Sequence, residues 1–164
     1  MPSLSAISLK LVPVLAWLLV ASDPVSASER NVPPPKLMPT VAWSLAEPVP
    51  ASAEELVKQL EAYAKSIKTK VDRRELGKVF PGKKLDVQYN YGVQRPSGRW
   101  DTINVVVRIQ ERDKPLTFAE ILLQLHQASH QHLRGDDHHF FEGLYLLDRP
   151  FEPGVPAYEV YLGS

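Results

Sequence analysis

The chain has 164 residues, no cysteine, and 19 basic side chains against 19 acidic ones, so it is formally neutral. Neutrality argues against a global pull toward nucleic acid, whose binders carry a basic excess. Without cysteine there is neither a disulfide framework nor a thiolate centre, and packing alone must hold the fold.

Residues 1–27 read as a secretory leader. A polar start with one basic residue, Lys10, precedes the apolar run Leu11 to Ala21, and Val25-Ser26-Ala27 sets small residues before Ser28. An apolar run this short falls well below the roughly twenty residues that cross a bilayer as a helix. The expectation is an exported protein, periplasmic or extracellular, with no membrane span after processing. Loss of Lys10 and Asp23 leaves the mature chain neutral.

Residues 28–51 carry Pro33, Pro34, Pro35, Pro39, Pro48 and Pro50. Proline at that density removes amide donors and forbids helix, which predicts an extended or disordered segment. Leu37, Met38, Val41, Trp43 and Leu45 are more apolar than a spacer needs, so the arm is expected to lie across the domain surface, with Trp43 exposed.

A single α+β domain is expected over residues 52–164. Ser52-Ala53-Glu54-Glu55 is a capping box, in which serine and glutamate satisfy each other's free amides. Leu56, Leu60, Tyr63, Ile67 and Val71 then form one apolar helical stripe, predicting a helix to about Leu76 with Gly77 as its stop. The basic run from Lys65 to Lys84 reads as a solvated helix end. Leu85 to Val93 and Ile103 to Ile109 alternate apolar with polar residues, as half-buried strands do, around the turn Arg95-Pro96-Ser97-Gly98.

The pattern then repeats. Thr117-Phe118-Ala119-Glu120 is a second capping box, opening a helix that ends at Gly135. Phe140 to Leu147 and Ala157 to Leu162 predict two more strands. Two helix-strand-strand units imply a four-stranded antiparallel sheet with both helices on one face. In layout alone this resembles small exported inhibitor- or propeptide-like modules.

All five histidines fall between His126 and His139. Imidazole is the side chain most often used to bind a metal or move a proton near neutral pH. At about 100° per residue, His126 and His130 share a helix flank at about 80° and 120° from Phe118, whereas His132, near −40°, points into the buried stripe. The flank pair could clamp a divalent metal such as zinc with help from Asp136, His138 or His139 beyond the Gly135 reversal. No general base separates the pair as in His-Glu-x-x-His, and there is no Gly-x-Ser-x-Gly. No catalytic constellation is complete.

The leading expectation is therefore a non-enzymatic, inhibitor- or adaptor-like binding module without cofactor, engaging another protein or an envelope component. Its expected surface is the open sheet face with the loop after the second helix: Trp100, Asp137, Phe141, Glu142, Tyr145 and Tyr161. The metal-binding alternative uses His126, His130, Asp136, His138 and His139.

Overall fold

The computed structural model describes residues 32–111 and 113–164. The expected leader, residues 1–27, lies outside the described residues. In chain order the elements are β1 (Lys36–Leu37), β2 (Trp43–Ser44), α1 (Ala53–Ser66), α2 (Arg73–Leu76), β3 (Lys84–Gln94), β4 (Trp100–Gln110), α3 (Phe118–Leu133), β5 (Phe140–Leu146) and β6 (Ala157–Gly163).

Both N-caps form, but only the second is reciprocal. Ser52 Oγ accepts from the Glu55 amide, while the Glu55 carboxylate takes the Ala51 amide in place of that of Ser52. Thr117 and Glu120 close a full capping box on α3. The first helix, however, is shorter than its apolar stripe implies. It ends at Ser66, where Lys68 takes a left-handed φ of 59° and Thr69 N–H donates back to the Ala64 carbonyl at 2.8 Å. That closure satisfies the orphan carbonyls of the last turn, a task usually given to glycine. A separate four-residue turn, α2, restarts on the Asp72 cap and stops at Gly77.

The expected four-stranded antiparallel sheet is corrected to a six-stranded mixed sheet. Its path is β1-β5-β6-β3-β4, with β2 also pairing β5. The two predicted hairpins exist, but they join through β6 running parallel to β3, with Val87 beside Tyr158. The long α3 connection permits a parallel junction that a tight turn would not. The two added strands are only two residues long, too short for alternation to be visible in sequence.

Leu85, Val87 and Tyr89 of β3 face the helices with Tyr158 and Val160 of β6, and all are buried. The proline-rich arm pairs along β5 and packs against α1 and α3, so its apolar residues are part of this core. Leu37, Met38 and Leu45 are fully buried, and Trp43 is 3% exposed, overturning its expected exposure. The Trp43 ring meets Tyr63 of α1 edge-on at 5.9 Å and His126 of α3 at the same distance. Gly143, at φ +118°, lets the arm run close alongside β5: a Cβ there would lie 3.2 Å from Pro39 Cα and 3.3 Å from the Leu37 oxygen.

Candidate functional site

The histidine run divides at the end of α3. His126 is fully buried. Its Nδ1 accepts from Trp43 Nε1 at 3.3 Å, and its Nε2–H donates to the Glu47 carbonyl at 2.9 Å. Both ring nitrogens are thus used by the neutral imidazole, and burial holds its pKa below the ordinary histidine value. His130 donates from Nδ1 to the Leu45 carbonyl at 3.2 Å. The expected metal clamp is therefore a tether: two histidines one turn apart bind the backbone and tryptophan of the arm, and His126 has no lone pair left for an ion.

His132, expected in the buried stripe, is solvent-exposed and lies flat on Tyr91, ring centroids 4.5 Å apart. Its Nδ1 is 2.7 Å from the Tyr89 hydroxyl, which also reaches the Ala128 carbonyl at 3.3 Å. One arrangement satisfies all three groups: the hydroxyl donates to the carbonyl and accepts from Nδ1–H. Burial pushes the Tyr89 hydroxyl up to about 12, so it stays a neutral donor.

Beyond the helix the loop turns on Asp136. Its Oδ2 accepts from the Gly92 amide of β3 and its Oδ1 from the His138 amide, both at 2.9 Å. His138 Nδ1 lies 2.8 Å from Asp137 Oδ1, and this contact holds the Asp137 carboxyl below its usual range. His139 donates from Nδ1 to the Asp136 carbonyl and turns its ring onto Phe140. The side chains of Asp136, Asp137 and His138 are thus brought together, while His126 and His130 hold the arm and the His139 ring bonds the loop's own backbone.

This loop and the free end of the β3–β4 hairpin enclose a cleft of about 1050 Å³. Trp100 forms its aromatic wall and is 66% exposed. The indole rests against Gly92, where a Cβ would lie 3.2 Å from the ring, so the glycine is what allows tryptophan and Asp136 to flank the same point. Sequence reading missed Gly92, Tyr91 and Arg134 as cleft residues. A glycine inside an alternating strand was the available signal for a close approach.

Strand register places the remaining surface candidates. Val106 pairs with Gln88, Gln88 with Glu159, and Glu159 with Tyr145, so Trp100, Val106, Tyr145 and Tyr161 share the face that no helix among the described residues covers. The Tyr145 and Tyr161 rings are 4.3 Å apart, and Lys36 Nζ stands 4.8 Å over Tyr145. Glu142 is exposed on β5. Phe141 is not part of this surface: it is fully buried against Trp43 in the β2–β5 register. Parity decides this, because the paired phenylalanines point to opposite faces and the arm covers the inner one.

The open face also holds a charge network that sequence did not flag. Arg108 grips the nearly fully buried Asp86 with two bonds of 2.7 and 3.0 Å and meets Glu152 at 2.7 Å. The pairing neutralises a carboxylate that burial would otherwise penalise.

No helix among the described residues is long and apolar enough to cross a membrane. No family model, curated protein or solved structure matches the chain.

Proposed function

We propose that the protein is an exported, non-enzymatic binding module that holds another protein or envelope component on its uncovered sheet face and in the adjoining cleft. The observation that carries this reading is Trp100, two-thirds exposed at the mouth of a cleft and backed by Gly92, with Tyr161 exposed on the same face. A large rigid aromatic left in water beside polar groups is the usual anchor of a protein interface. Asp137 and His138 on the cleft rim supply polar contacts that orient a partner.

The test compares the intact exported protein with its Trp100→Ala variant as paired baits against envelope extract. A partner should be retained by the first and held about thirtyfold more weakly by the second, the loss expected for an anchoring tryptophan. Equal retention by both, with unchanged circular dichroism, overturns the reading.

One observation favours a second reading. Ligand atoms of Asp136, Asp137 and His138 lie within 4.8 Å of one another, a spacing one divalent ion could bridge. Zinc would then bind at the cleft rim and not on the helix flank. Titration of the protein with zinc, followed on the His138 ring resonances, tests it: saturable binding lost in His138→Ala supports it, and unmoved resonances end it.

A further inference from the structure

Strand β4 ends the sheet, and among the described residues no strand pairs with its outer side. The ladder itself fixes which of its backbone groups face outward. In an antiparallel pair, one residue directs both N–H and C=O at its partner strand, and the next directs both away. Gln110 sets the phase. Its N–H donates to Gln124 Oε1 at 3.3 Å and its C=O accepts from Gln124 Nε2 at 3.4 Å, so it faces away from β3. Its neighbour Glu111 donates back across the hairpin to the Lys83 carbonyl at 3.0 Å.

The even-numbered residues of β4 therefore turn outward. Trp100, Thr102, Asn104, Val106 and Arg108 direct N–H and C=O groups to solvent, and the side chains of all five are exposed. Edge strands are normally blunted by proline, by lysine or by bulges. The sequence WDTINVVVRIQ has none of these, and its pairing with β3 runs unbroken from Lys84↔Gln110 to Gln94↔Trp100. On the helix side Ile103, Val105 and Val107 are only partly covered.

We propose that β4 pairs with β4 of a second copy of this chain, antiparallel about a two-fold axis through Asn104, making one continuous sheet. The occupant follows from the dimensions of the edge. Gln124 closes it at Gln110, and the outward residues that remain run from Trp100 to Arg108, with Asn104 at their midpoint. A second copy laid about that midpoint uses every one of them and leaves none over, forming about ten backbone hydrogen bonds.

Charge agrees with this register. Arg108 faces Trp100, Asp101 faces Val107, Thr102 faces Val106, and the two Asn104 amides meet at the axis. A pairing centred on Asp101 or on Arg108 would set like charges opposite each other, which is destabilising. An axis normal to the sheet keeps both helical layers on one side, so Ile103 meets Val105 of the other copy and the partly covered stripe is closed. Self-pairing rests on the edge strand, its register and the side chains that register brings together, and not on the partner proposed for the cleft.

Sedimentation equilibrium of the intact, untagged protein tests the proposal. A reversible monomer–dimer equilibrium is expected. Val106→Pro removes only an outward N–H and so leaves the protein's own ladder intact, yet it should weaken the dimer about thirtyfold, the equivalent of two lost hydrogen bonds. Asn104→Lys and Asn104→Asp should each be monomeric, because each sets two like charges at the axis, whereas an equimolar mixture of the two should dimerise. A wild-type protein that stays monomeric at its solubility limit overturns the proposal. So does a mixture that associates no better than its components. Should Val106→Pro fail to fold by circular dichroism, the Asn104 pair alone decides.

Discussion

The helical and loop halves of the histidine run use one residue type for opposite ends. On α3, His126 and His130 face a segment of the same chain, and every contact they make is internal. Past Gly135, His138 faces water and leans on a carboxylate that is itself exposed. The difference lies in what covers each residue and not in the residue. The proline-rich arm lies over the helix flank and converts two potential ligands into structural bonds, and nothing comparable among the described residues covers the loop. A cluster of histidines in a sequence is thus a statement about proximity along the chain, and its chemistry is decided by segments far away in that chain.

The comparison breaks most visibly if the arm is loosened. Trp43→Ala removes a buried indole together with the donor to His126, and the structure can collapse only partly around the gap. A loss of about 3–5 kcal/mol is expected, measured by urea denaturation. The arm should open with it, exposing amides of residues 37–45 to hydrogen exchange ahead of global unfolding. His126→Leu tests the same contact from the helix side. It keeps the volume but leaves Trp43 Nε1–H buried without an acceptor, which costs roughly 1–3 kcal/mol. A His126→Leu protein as stable as the wild type would show that the histidine only fills space.

How much of this was legible follows from the range of each signal. Capping boxes and strand alternation act over a few residues, so both long helices and all four long strands could be read from local pattern. The break of α1 was not legible, because Lys68 adopts the left-handed conformation that sequence reading reserves for glycine. The parallel junction of β3 with β6 was not legible either, because it is set by which hairpin edge packs against which. For the site, helix geometry correctly put His126 and His130 on one flank. It could not know that the flank is covered, and so it took His126 as available and His132 as buried. Two different features reverse these expectations: the arm packs over the flank and takes His126, while the end of α3 carries His132 out to stack on Tyr91.

A smaller effect comes from pH. Burial lowers the His126 pKa below its ordinary value of 6.5, so the folded chain holds fewer protons than the unfolded chain once the pH drops to that region. His130, the titratable group facing it across 5.6 Å, acts in the same direction when charged. Stability from this site is therefore complete above about pH 7. It falls as the pH passes below about 6.5, and levels off only beneath the folded-state value. The denaturation midpoint of the wild type should fall over that window more than that of His126→Leu. Parallel curves for the two proteins would remove His126 as the cause.

The smallest expected effect sharpens the contrast from the loop side. His138 contributes one solvent-facing contact with Asp137, and its amide, not its ring, completes the turn on Asp136. Replacing the ring leaves that backbone bond in place, so His138→Ala should shift stability by no more than about 0.5 kcal/mol. Asp136→Ala differs, because it strips acceptors from the Gly92 and His138 amides that join loop to hairpin. Its consequence should be local: faster exchange at Gly92 and His138 with the helix amides unchanged. If His138→Ala instead destabilises the protein as much as His126→Leu does, the loop imidazole is structural too, and the division of the run at Gly135 fails.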